Sequence, residues 1–133
     1  MSAASDYLED KLVDHITGTT SFTMPVNVYM ALCTAAPTDA STGTTITEAA
    51  YTSYARVECS DDWNASSGGT ATNSAAITFP AATGGSETLT HFVLVDASSA
   101  GNVLVHGALD ASLAVSSGIT PEVAIGSLSV TVG

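Results

Sequence analysis

Two histidines stand close together in the stretch THFVLVDASSAGNVLVHGAL, residues 90–109, where two apolar runs flank a turn of small residues. Facing each other, His91 and His106 would begin a metal site or an acid–base pair, because imidazole both ligates metals and carries protons. Register decides whether they meet. If Asp96 closes the turn against Asn102, leaving Ala97–Gly101 as the loop, then Val95 pairs with Val103 and Phe92 faces His106. Strand side chains alternate, so His91 then lies on the opposite face from His106. A slip of one residue brings the two rings directly across from each other and flips the apolar set with them. Both faces are nearly equally apolar, so the register stays open. Even a facing pair is half a zinc site, and no Cys, His or Glu completes it at a recognised spacing. The stretch reads as a hairpin.

Other chemistry is as thin. Asp61 and Asp62 are adjacent but lack the Asp-x-Asp-x-Asp-Gly pattern of a calcium loop. No Gly-x-Ser-x-Gly elbow presents any of the serines. Cys33 and Cys59 have neither metal-type spacing nor enough company for a disulfide framework, and are expected as free thiols packed in strands. His15 sits on an expected helix with nothing to ligate beside it. No catalytic residue, metal ligand set or cofactor is therefore expected.

The composition excludes partners as well. Lys11 and Arg56 are the two basic side chains besides histidine, against 13 carboxylates, for a formal charge of −11. Binding nucleic acid needs several phosphate-neutralising cations, and anionic membranes need them too. Neither partner is expected. No run of about 18 apolar residues is present to span a bilayer. Ala, Gly, Ser and Thr supply 68 of the 133 residues. Such a chain packs its backbones closely around a thin core, which suits a compact sandwich more than a deep catalytic pocket.

The elements follow from periodicity. In SDYLEDKLVDHITG, Leu8, Leu12 and Ile16 recur every fourth residue on one helical face. Asp6 with Glu9 reads as a capping box and Gly18 as the stop, which predicts a helix over about residues 6–17. A helix this short is marginal alone, so its stripe of Leu8, Leu12 and Ile16, with Tyr7 beside it, must dock on something. From there the pattern is β. VNVYMALCT, residues 26–34, is apolar throughout, as in a strand covered on both faces. YTSYARVEC, residues 51–59, alternates in part, and AAITFP is short. The closing stretch carries Pro121, expected at a strand start or edge. Seven or eight short strands punctuated by Gly and Ser/Thr clusters predict an all-β chain. Its architecture is an antiparallel β-sandwich or jelly-roll-like barrel with one short N-terminal α-helix. One domain is expected over 1–133, with residues 1–20 as arm and helix and 21–133 as the sandwich.

Several segments taken in order resemble a known family. The opening helix, Thr23-Met24-Pro25, the strand ending ALCTAAPTDA (residues 31–40), ATNSAAITFPAAT (71–83), the histidine hairpin and the closing GSLSVTV are similar to small tailed-bacteriophage virion proteins. Members are labelled either as capsid cement (decoration) proteins or as tail-fibre-like proteins. The resemblance implies a β-sandwich virion protein without known catalysis, made in the bacterial host cytoplasm, and it carries over no active-site residue. The polar, acidic start MSAASDYLED, which lacks a secretory signal pattern, fits that origin. The expectation is a capsid cement protein on the capsid exterior, bound to the major capsid protein and to itself as a homotrimer, with the Tyr7, Leu8, Leu12 and Ile16 stripe as interface. The alternative is a tail-fibre or baseplate component binding a host-surface glycan. For that role Trp63 with Tyr51 and Tyr54 is the candidate ligand cluster.

Overall fold

A computed structural model describes residues 2–132; Met1 and Gly133, the ends of the expected domain, lie outside the described residues. The helix forms where the periodicity puts it, as α1 (Asp6–Thr17). Its cap lies one residue earlier than Asp6. Ser5 is extended, and its Oγ accepts from the Leu8 amide at 3.2 Å. Ser5 Oγ also donates to the Val103 carbonyl, so the cap ties the helix to the sheet as it starts it. Gly18 ends the helix in the left-handed conformation (φ 76°), which glycine adopts without a Cβ clash.

Among the described residues nine strands accompany it: β1 (Ser2–Ala4), β2 (Tyr29–Cys33), β3 (Val57–Glu58), β4 (Thr70–Thr72), β5 (Ile77–Thr78), β6 (Ser86–Val95), β7 (Val103–Ser116), β8 (Glu122–Val123) and β9 (Ser129–Thr131). Five of them make one antiparallel sheet in the order β1-β7-β6-β2-β3. Two-stranded ribbons, β4-β9 and β5-β8, complete the structure. This is the all-β sandwich with one helix. The barrel alternative is corrected, because β1 and β3 remain unjoined edges of the large sheet.

Strand β2 shows why its sequence is apolar throughout. It lies between β6 and β3, and its alternate residues enter two different cores. Met30 and Leu32 join the main core with Phe79, Leu89, Phe92, Leu94 and Val105. Ala31 and Cys33 join a second cluster with Val93, Val95 and Val103, against which Ile46 of the loop after β2 packs. That loop covers the second face. The expected strand over residues 51–59 is reduced to Val57–Glu58, because residues 51–54 turn away to place two tyrosines. Pro121 immediately precedes β8, and its carbonyl accepts from the Phe79 amide at 2.9 Å.

Buried Asn73 joins the two ribbons. Its amide donates to the Ala75 and Ala124 carbonyls at 2.8 and 2.9 Å, and its Oδ1 accepts from the Leu128 amide at 2.9 Å. One sequence-silent element is β1, made of Ser and Ala. It pairs with β7 from Ser2 opposite Gly107 to Ala4 opposite Val105, which puts an N-terminal strand on the sheet edge.

Candidate functional site

The histidine hairpin closes at its expected turn. Asn102 donates from its backbone and side-chain amides to the two carboxylate oxygens of Asp96 at 2.7 and 2.8 Å, and Val95 pairs with Val103. Past that pair the register is neither of the two that the sequence left open. Leu94 faces Val105, so Leu104 is an extra residue on β7 and both Leu104 and Val105 turn into the main core. The bulge moves the pairs from Leu94 to His91 by one, and a second irregularity between His91 and Leu89 shifts the pairs beyond it again. Val93, not Phe92, faces His106, while His91 faces Ala108. Alternation then puts the two histidines diagonally on one face, which corrects the opposite-face placement. Their rings bond elsewhere: His106 Nε2 lies 2.9 Å from Asp39 Oδ1, and His91 Nδ1 2.8 Å from Thr90 Oγ1. Among the described residues no three metal-ligating groups converge.

The expected docking stripe divides along the helix. Leu8 is buried in the chain's own core, and Tyr7 and Leu12 pack against it. Ile16, one turn further, is 79% exposed, and its neighbour Val13 is 54% exposed. Burial along the stripe thus falls from Leu8 through Leu12 to Ile16. After Gly18 the chain turns back, and the Phe22 amide donates to His15 Nδ1 at 3.1 Å. On this returning segment Met24 and Val26 are 81% and 92% exposed.

The three aromatics of the alternative reading do not form one cluster. Tyr51 is buried and donates to the Pro80 carbonyl at 2.9 Å. Tyr54 meets it edge-on at 5.3 Å and stacks on Phe79 at 6.3 Å. Burial pushes the Tyr54 phenol above its ordinary range, and its oxygen accepts from the Leu32 amide while donating to Glu48. Trp63 stands apart. Its Nε1 donates to the Cys59 carbonyl at 2.7 Å, and its ring lines an apolar cavity of about 230 Å³ with Leu8, Phe22, Pro25 and Val130. Among the described residues no aromatic ring pair includes Trp63.

Sequence reasoning missed the principal polar feature. The Arg56 side chain is 4% exposed and holds Glu48 through Nε and Nη2, at 2.8 and 2.9 Å. Its remaining bonds go to three carbonyls, those of Ala97, Ala100 and Gly43. One guanidinium thus fastens the loop after β2 to the hairpin tip. The bonds to Glu48 raise its pKa further, against the opposing effect of burial. The only sequence signal was the scarcity of cations, since an arginine retained in so acidic a chain has a carboxylate to answer. Burial likewise pushes the thiols of Cys33 and Cys59 up to about 12, so both are inert at neutral pH.

Arg56, Glu48 and Tyr54 are held in internal bonds while Val13, Ile16, Met24 and Val26 are left outside, an arrangement that suits a structural β protein meeting other molecules by contact. Over residues 3–131 the chain matches the family described as podophage GP4 fiber I protein gp80, and it belongs to that family. It is therefore a bacteriophage virion structural protein, as the resemblance implied. Among curated proteins no match was found.

Proposed function

We propose that the protein is a structural component of a virion fibre. The observation that carries this reading is the match across residues 3–131 to a family described as a fibre protein. The fold supports it. A five-stranded sheet, two ribbons and a helix locked through Ser5, Arg56 and Asn73 make a rigid unit, and rigidity is what a fibre transmits. The exposed Val13, Ile16, Met24 and Val26 supply apolar contact for assembly.

The glycan-binding form of the fibre reading gains nothing from Tyr51 and Tyr54, whose rings face inward. Contact with other virion proteins is the favoured role. The capsid cement reading, with the major capsid protein as partner and a homotrimer on the shell, would use the same exposed helix face. Locating the protein in intact virions separates the two. A fibre component is found in few copies confined to the appendages, a cement protein in many copies over the shell. A shell distribution contradicts the fibre reading.

A further inference from the structure

Val13 and Ile16 lie three residues apart on α1, so they are neighbours on the helix surface. Met24 and Val26 occupy alternate positions on the segment that returns beside the helix, fixed there by the bond between Phe22 and His15 and by two bonds from Thr19 and Thr20 to the Asp14 carbonyl. Single exposed apolar residues are ordinary, but Val13 and Ile16 share one helix face, and Met24 and Val26 are also exposed on the segment tied to that helix, so four apolar side chains at 54–92% exposure stand at this end of the molecule. Core packing does not require them there, since Leu8, Leu12 and Phe22 already face inward from the same segments.

Charge selects the occupant. Asp6, Glu9 and Asp10 are exposed on the same helix, and Glu9 and Asp10 stand one turn from Val13. Among the described residues a second copy has little to set against them, with Lys11 and Arg56 as its two Lys/Arg side chains. Its Lys11 ammonium sits 5.7 Å from the Tyr7 ring, and its Arg56 is buried against Glu48. Bringing two such faces together opposes acid to acid on chains of formal charge −11. We propose that this patch docks an apolar segment flanked by lysine or arginine on a different virion protein. It does not join two copies of this chain. The proposal deepens the fibre reading and rests on it for the setting, a virion appendage. Apolar burial holds the contact and the charges orient it, so attachment weakens as salt rises.

The test is photo-cross-linking in intact virions carrying p-benzoylphenylalanine in place of Ile16 and, separately, of Val26. Both positions are exposed, so circular dichroism is expected to match the wild type. The expected product joins this chain to a different virion protein, within a few residues of a lysine or arginine. Cross-links to a second copy, to a segment without basic residues, or to nothing overturn the proposal. Wild-type virions give an independent reading. The fraction of this protein retained on the particle should fall as ionic strength rises, and retention indifferent to salt contradicts the charge argument. Ile16→Asp is expected to lower occupancy about tenfold with an unchanged fold. Unchanged occupancy overturns the docking role. A cross-link to a basic segment of the shell protein would sink the fibre reading while sustaining this one.

Discussion

Replacing Arg56 by alanine removes five hydrogen bonds at once: two to Glu48 and one each to the carbonyls of Ala97, Ala100 and Gly43. Removing one partner of a buried ion pair costs about 3–5 kcal/mol, because the other charge stays buried and unpaired. Here the lower half of that range applies. Glu48 is 23% exposed and keeps the Tyr54 hydroxyl as a donor at 2.8 Å, so water and the phenol absorb part of the loss. For 133 residues, an unfolding entropy near 2.1 cal/mol/K per residue totals about 0.28 kcal/mol/K. A loss of about 3 kcal/mol then lowers Tm by about 11 °C. Differential scanning calorimetry reads this directly. Arg56→Lys keeps the charge but not the planar fork that reaches three carbonyls, so it should recover less than half of the loss. In a double-mutant cycle with Glu48→Gln the two losses should be strongly non-additive. A fall of less than about 4 °C for Arg56→Ala would refute the reasoning, because it would mean the loop after β2 is held without the guanidinium.

Three further outcomes follow from the same structure. Gly43→Ala would place a Cβ 1.9 Å from the Ala100 carbonyl oxygen, so denaturant unfolding should show a loss of about 1–3 kcal/mol, and hydrogen exchange should quicken at the hairpin tip. Ser5→Ala deletes both the helix cap and the bond to Val103, and should lower stability by about 2 kcal/mol in the same assay. The thiols of Cys33 and Cys59 rise from 9.0 to about 12 in the fold, so the unfolded chain loses these protons first as pH rises. Their contribution is full below pH 9.0 and is lost between there and about 12, at about 1.4 kcal/mol per pH unit for each thiol. Urea titrations across that window should flatten in the Cys33→Ala, Cys59→Ala double variant, and an unchanged slope contradicts the assignment.

Local signals in the sequence were reliable where one element determined them. The spacing of Leu8, Leu12 and Ile16 and the position of Gly18 defined the helix, and the unbroken apolarity of residues 26–34 revealed a strand with cores on both faces. What escaped depends on partners far along the chain. The Leu104 bulge leaves no mark in a hairpin whose two faces are equally apolar, yet it decides where both histidines point. Strand β1 is three small residues that acquire strand geometry only beside β7. Residues 51–56 alternate like a strand, but Tyr54 reaches Glu48 and Leu32, and Arg56 reaches the hairpin tip, by leaving the sheet. Ser5 outcompeted Asp6 as the cap because it could bond Val103 at the same time. The apolar stripe of the helix was legible as a stripe. Its division into an internal half at Leu8 and Leu12 and an external half at Ile16 depends on tertiary packing that periodicity does not encode.

Cryo-electron microscopy of intact virions bearing a small gold-labelled tag on this protein tests its assignment to a fibre most directly. The tag should lie in appendage density, in few copies per particle. A regular lattice of tags across the capsid shell, or virions without any, would contradict it.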